Sequence, residues 1–411
     1  MTDLSLGRQT GLPEFLRGTN PRVVLVALLL LVGGALWLAD AVTWRQAALY
    51  LVGGALGVAL YHAAFGFSSA FRVFVADRRG AGLRAHMVML GVACALFLPA
   101  LAQGSVFGQP LMAYVFPIGL PVVMGAFLFG VGMQLGGGCA SGTLYTVAGG
   151  SARMVVTLLG FIAGFVLALF HLPWWMQLPA LPPVSLAGLM GWLPALMLLI
   201  AVFAAIAGLS VVLEKRRHGR LLDTGGEQAG LSRLLRGPWP LVWGAVALAV
   251  LNFATLLLAG RPWGVTSAFG LWGSKTLIAM GYDGVAQWPA WQAPPMAKLL
   301  SGSIIQDVTT VMDFGIIVGA LLAAGLAGKF APVWNLPWRT AVASITGGLL
   351  MGYGARIGFG CNIGAYFSGI ASGSIHAWVW LAFCLVGTWV GIRIRPLFGL
   401  LVERTPRLGG C

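Results

Sequence analysis

Long uncharged apolar runs dominate the chain, and polar residues gather in short clusters between them. Residues 23–39 read VVLVALLLLVGGALWLA without a single charge. Roughly 20 apolar residues suffice for a helix to cross the hydrocarbon core of a bilayer. By that measure the pattern predicts ten spans: 23–39, 47–64, 87–101, 117–135, 154–172, 193–213, 239–259, 314–327, 340–355 and 377–392. The first run is long, lacks a small-x-small cleavage site and is followed by more spans, so it is expected to be a retained helix and not a cleaved signal. The expected fold class is an all-α polytopic membrane protein.

One polar stretch, 214–236, breaks the pattern with charges and four glycines. What lies on either side of it repeats. Residues 130–142 read GVGMQLGGGCASG and residues 352–364 read GYGARIGFGCNIG. At a constant offset of 222, six positions are identical: five glycines and Cys139/Cys361. Upstream, FGFSSAF at 65–71 matches WGVTSAF at 263–269, with Ser68 opposite Thr266. The span count places the matching segments on opposite sides of the membrane. The chain is therefore expected to be two inverted repeats with re-entrant half-helices, a common build of carriers. The expected boundaries are 1–213 for the first repeat with an extra N-terminal helix, 214–236 for a cytoplasmic linker and 237–411 for the second repeat.

Composition sharpens this picture. Apolar residues make up 59% of the chain and charged residues 9%, with a mean hydropathy of +0.89. Soluble domains carry about a quarter charged residues, so a soluble fold is excluded. The net charge of +14 invites a nucleic-acid reading, but its distribution answers otherwise. With both termini in the cytoplasm, 20 of the 25 Lys and Arg fall in inner segments, the positive-inside bias of a cytoplasmic (inner) membrane protein. No nucleic-acid partner is expected; lipid is.

The two glycine-rich breaks carry the candidate chemistry. Gly136–Gly138 and the matching Gly358–Gly360 favour interruption of a helix. The runs after Cys139 and Cys361 are too short to cross. Irregular backbone at membrane depth survives only when buried or lining an aqueous cavity, and a helix start there offers free N–H groups to an anion. Close glycine packing of helices is the bland alternative, but a cysteine at the same place in both breaks points to a shared central path. Cys139, Cys361, Gly138, Gly360, Ser68, Thr266 and Arg356 are the candidate substrate-binding residues. Arg356 has two readings: an anion attractor near an outward mouth, or one half of an ion pair with Asp307 or Asp313. Lys275 and Lys298 are further charges at possible membrane depth, an ion pair being the slightly favoured reading of Lys275. Cys94 and Cys384 lie in apolar spans and read as small buried hydrophobes. The histidines have no ligand spacing to either candidate cysteine, and neither a metal nor a cofactor is expected, nor is the chain expected to be an enzyme.

GGGCASGTLY at 136–145, GFGCNIGAYFSGIASGS at 358–374 and FGFSSAFR at 65–72 resemble the YeeE/YedE family of sulfur-transport membrane proteins, over nearly the whole chain. The resemblance implies an inverted-repeat helical fold and uptake of thiosulfate or a similar small anion. It implies that Cys139 and Cys361 hand the anion along through S–H···S and S–H···O hydrogen bonds, and that a small TusA-like sulfurtransferase works at the cytoplasmic face. Thiosulfate-transporting members are expected to carry a third cysteine in the segment matching FGFSSAFR, where this chain has Phe67, Ser68 and Ser69. A selenium compound or another sulfur species is the alternative substrate, and a membrane thiol redox protein the alternative class.

Overall fold

The computed structural model of the chain describes residues 18–222 and 231–403. Arg8, Arg17, Arg404, Arg407, Cys411 and the glycine-rich middle of the 214–236 linker lie outside them. Every expected span falls on a long helix. These are α1 (Pro21–Ala41), α2 (Trp44–His62), α4 (Ala81–Gln103), α5 (Leu120–Gly136), α7 (Ala152–Trp175), α8 (Trp192–His218), α9 (Leu241–Ala259), α11 (Val308–Leu326), α12 (Trp338–Ile357) and α13 (His376–Ile394). Shorter helices sit between them: α3 (Phe67–Asp77), α6 (Ala140–Ala148), α10 (Thr266–Ala279) and a seven-residue π-type helix, Asn362–Ser368.

Side-chain caps set several of the starts. Asn20 Oδ1 accepts from the Val23 N–H at 3.4 Å ahead of Pro21. Thr43 Oγ1 accepts from Gln46 at 3.2 Å, and Asp307 Oδ2 accepts from Thr310 N at 2.8 Å. Each satisfies one of the N–H groups that a helix start leaves unpaired. Among the described residues, nine helical segments are long and apolar enough to cross a membrane. The chain is an all-α polytopic membrane protein. The 20-residue α12 is a less apolar long helix, with Arg339 and Arg356 near its ends. It packs against α5 and α7, so neighbouring helices cover much of the surface it would otherwise show to lipid.

The packing order is reciprocal between the halves. α2 lies on α11 and α9 on α4; α7 lies on α12 and α13 on α5; α5 and α12 face each other. At the periphery, α1 covers α11 and α8 covers α4. The most apolar windows of α1 and α8 are only 11% and 17% buried, against 67% for α11, so the former pair presents Leu29, Leu36, Met197 and Leu209 to lipid.

Glycine makes the central approach possible. A Cβ on Gly319 of α11 would fall on the carbonyl of Gly54 in α2, and one on Gly57 would strike the carbonyl of Ile316. Gly130 meets the backbone of α13 at Cys384, and Gly132 that of α12 at Gly347. The packing role expected of such glycines is therefore real for 130 and 132, whereas the break begins only at Gly137.

One end of the bundle is basic. There the turn between α3 and α4 is clasped to the end of α8. Glu214 accepts from Arg84 Nη1 at 2.7 Å, from Gly80 N at 3.0 Å and from Leu222 N at 3.1 Å. Buried Asp77 pairs with Arg79 at 3.2 Å. The opposite end holds two short antiparallel ladders, Ser105–Val106 with Gln109–Pro110 and Ile118–Gly119 with Ala180–Leu181.

Candidate functional site

The two cysteine motifs build nearly identical corners. α5 stops at Gly136, Gly137 turns left-handed at φ +91°, and the chain runs extended through Cys139 into the nine-residue α6. α12 stops at Ile357; Phe359 and Gly360 take φ +60° and +147°, and Cys361 is again extended before the Asn362 helix. Glycine tolerates such angles, whereas phenylalanine is strained there by about 1–3 kcal/mol. The Phe359 ring stacks on Phe116 at 4.9 Å, which helps hold the corner. A Cβ on Gly138 would sit 3.3 Å from Gly142, and one on Gly360 2.7 Å from the Ala365 nitrogen.

Both cysteines are helix caps. Cys139 Sγ accepts from the Gly142 N–H and Cys361 Sγ from the Ile363 N–H, each at 3.4 Å. Ser141 Oγ lies 3.5 Å from Cys139 Sγ. The thiols are 2% and 1% exposed and within electrostatic reach of each other. Two helix starts with their positive dipole ends thus converge on one buried region. Its polar lining includes Asn362, whose Nδ2 reaches Met133 Sδ at 3.6 Å while its Oδ1 has no hydrogen-bond partner among the described residues.

Cys384 belongs nearer to this region than its apolar span suggested, since it lies within electrostatic reach of Cys139 and of Tyr366. Cys94 instead donates to the Ile370 carbonyl at 3.6 Å. Ser68, near the start of α3, donates to the Met133 carbonyl at 3.1 Å, and Gln134 Nε2 returns a bond to the Ser68 carbonyl at 3.4 Å. Ser68 therefore ties α3 to the last turn of α5. Thr266 is the buried first residue of α10, on the side of the bundle away from Ser68.

At the end opposite the basic one, Arg356 and Arg261 line a cavity of about 420 Å³ with Ser267, Gln306 and Asp307. Asp307 caps α11 and lies 4.0 Å from Arg261. Arg356 makes no ion pair among the described residues; its Nε is buried without a partner and its guanidinium lies 6.0 Å from the Phe165 ring centre. Asp313, fully buried, likewise has neither carboxylate oxygen hydrogen-bonded. Among the described residues the bracing pair between Arg356 and Asp307 or Asp313 is thus absent; the cation nearest Asp307 is Arg261. Lys275 has no ion pair among the described residues either: it donates to the carbonyls of Leu300 and Gly302 at 2.7 and 2.6 Å. Lys298 is exposed.

At the basic end, four consecutive carbonyls that terminate α5 are all taken by side chains: Met133 by Ser68, Gln134 by Arg395, Leu135 by Arg153 at 2.8 Å and Gly136 by Thr157 at 3.1 Å. Cations at a helix C-terminus complement its negative end. Arg72 reaches the Gln134 side chain at 3.4 Å and grips Glu403 with two bonds of 2.7 Å. No sequence motif marks this cluster, because Arg72, Arg153 and Arg395 read in the sequence only as part of the inward positive charge.

The sulphur-transport family model matches residues 62–390, which include both cysteine corners and the matching segments at 65–71 and 263–269. The chain belongs to the sulphur-transport family. Among its relatives, a thiosulfate transporter TsuA of Spirochaeta thermophila is 27% identical over 361 residues, 82% of this chain and 96% of that protein. The TsuA of Escherichia coli is 26% identical, over 67% of this chain and 76% of that protein. The "Probable transporter YedE" of Salmonella typhimurium is 28% identical over 167 residues, and this match spans 40% of each chain.

Proposed function

We propose that this protein takes up thiosulfate, or a closely related sulfur-containing anion, across the cytoplasmic membrane along a central route flanked by Cys139 and Cys361. The observation that carries the reading is the pair of buried thiols, each capping a short helix after a matching break. A thiol is a weak donor and a polarizable weak acceptor, suited to the terminal sulfur of such an anion. The neighbouring N–H groups suit its oxygens. Weak contacts also serve turnover, since a carried ion must leave as readily as it enters.

In this reading the 420 Å³ cavity is the outer vestibule. Arg261 and Arg356 attract the anion there, and the unpaired Arg356 is free to follow it toward Cys361. Cys139 receives it next and passes it to the basic, cytoplasmic end. The short helices after each cysteine act as re-entrant half-helices of two inverted repeats. The reciprocal packing of α2 on α11 and α9 on α4 supports that division. On the same packing we read α8, which covers α4 as α1 covers α11, as the first helix of the second repeat. A TusA-like sulfurtransferase is the natural acceptor at the cytoplasmic face. The serine at position 68, where a third thiol is expected, favours substrates with more oxygen character, so related sulfur or selenium oxyanions belong in the test.

Growth of a sulfur-auxotrophic host on single sulfur sources, with uptake of labelled thiosulfate and competition by sulfate and selenite, checks the reading. Thiosulfate-dependent growth is expected with this chain and not without it. Equal growth in both strains on every source would overturn it.

A further inference from the structure

Arg72, Arg153 and Arg395 come from three separate helical segments, yet their guanidinium groups lie within electrostatic reach of one another. They surround the end of α5, three residues before Cys139. The Arg153 guanidinium stands 2.9 Å from where a Cβ on Gly137 would be, and Arg153 also lines a cavity of about 450 Å³ with Tyr61, Tyr145 and Thr146. Among the described residues, the one carboxylate paired with this group comes from beyond the last helix. After α13 the chain turns back: Leu400 N donates to the Arg395 carbonyl at 3.1 Å, Arg395 holds the Leu401 carbonyl at 3.0 and 2.6 Å, and Glu403 enters the fork of Arg72.

The charges do not balance. Three guanidinium groups face a single carboxylate, a surplus of two positive charges, and like charges held together at a bundle end are costly unless compensated. A dianion in place of Glu403 would leave a surplus of one and would meet the planar fork of Arg72, with the charges of Arg153 and Arg395, whose own N–H groups hold backbone carbonyls, behind it. Glu403 is the solvent-facing partner: its side chain is 46% exposed, while that of Arg72 is 10% exposed. The arginine side of the pair is built in, and the acid side is a tail.

We propose that Arg72, Arg153 and Arg395 form an anion-release site at the inner end of the route, for a small doubly charged oxyanion, and that Glu403 occupies it as a built-in competitor. This rests on the uptake reading only for the identity of the physiological anion. Glu403 holds the site while no anion is present and yields it to each anion arriving past Cys139. It thereby keeps the arginines from trapping the substrate, since the returning carboxylate helps expel it.

The test is anion binding to the purified full-length protein in detergent, with thiosulfate and sulfate as separate probes. Glu403→Gln removes the competing charge from a half-exposed tail residue and so leaves the fold intact. Both dianions are expected to bind it roughly tenfold tighter than wild type, since one charge-assisted pair no longer competes. Arg72→Lys keeps the charge and loses the fork; it should bind more weakly than Glu403→Gln, and adding Glu403→Gln to it should recover little. Unchanged or weaker binding of both dianions by Glu403→Gln would overturn the site and make the tail a structural clasp. Tighter sulfate binding by Glu403→Gln, in a protein that fails to import thiosulfate, would uphold the site while removing the uptake reading.

Discussion

Cysteine is an unusual helix cap, because serine, threonine and aspartate satisfy the open N–H groups better. At 139 and 361 the sulfur accepts from those groups at 3.4 Å, so its presence at both corners calls for a reason other than capping. Substitution separates the two roles. Cys139→Ser and Cys361→Ser retain a capping atom and are expected to fold with unchanged melting temperature, yet to lose most thiosulfate uptake. The alanine variants should lose uptake and also about 1 kcal/mol of stability, the usual cost of removing a cap. Full uptake by either serine variant would show that softness is irrelevant at that site. Cys94→Ala should leave uptake intact because its thiol serves the Ile370 carbonyl, whereas Cys384→Ala, whose thiol is within electrostatic reach of Cys139, should reduce it. Arg356→Gln is expected to raise the KM for uptake several-fold with little change in maximal rate, as loss of a charged contact weakens capture. Glu403 adds a statement about pH. Its hydrogen bonds from Arg72 hold its carboxyl at about 2, below the usual carboxylate range. A depressed acid contributes its stabilisation above its unfolded pKa and loses it as pH falls through the folded one. The Arg72–Glu403 pair should therefore persist unchanged from pH 5 to pH 8, and the binding advantage of Glu403→Gln should be constant over that range.

Between elements, the decisive contacts are backbone against backbone. α2 and α11 meet through Gly54, Gly57 and Gly319, with no room for a single methyl. Without a hydrophobic drive between helices in lipid, such close approach supplies much of their attraction. Gly319→Ala should destabilise the folded protein by about 1–3 kcal/mol through overpacking. Gly208→Ala, on α8 with open space around the position, should be neutral or stabilise by up to about 1 kcal/mol, as alanine favours a helix interior. Thermal unfolding followed by tryptophan fluorescence in detergent distinguishes them. Equal melting temperatures for the two variants would count against the close packing of α2 on α11.

Across the whole molecule, the charge pattern makes a claim about sidedness. Arg72, Arg79, Arg84, Arg153, Arg220 and Arg395 gather at one end, and Arg261, Lys298 and Arg356 at the other. A cytoplasmic reporter fused after Arg220 is expected to be active and a periplasmic one silent; the converse result would reverse the vestibule and the release site together. The clasp of Glu214 on Arg84 and Gly80 places the linker at that same basic end, so a fusion there reads the end where Glu403 sits.

The sequence by itself determined the fold class, the places of the long helices and the two cysteine corners. Hydrophobic length, the positive-inside bias and glycine's tolerance of left-handed angles are local properties that survive without knowledge of neighbours. It also marked Arg356 as a charge at depth, with its two readings level. Only the tertiary structure decided which charges meet. Asp313 looked like a partner for Arg356 and is not one, while Arg72 and Glu403 lie 331 positions apart and share two hydrogen bonds. Cys384, too, carries no local signal, since its apolar neighbours in α13 describe its burial and not its direction. Periodicity reports which residues leave water; it does not report which of them then face one another, because that depends on how distant helices cross.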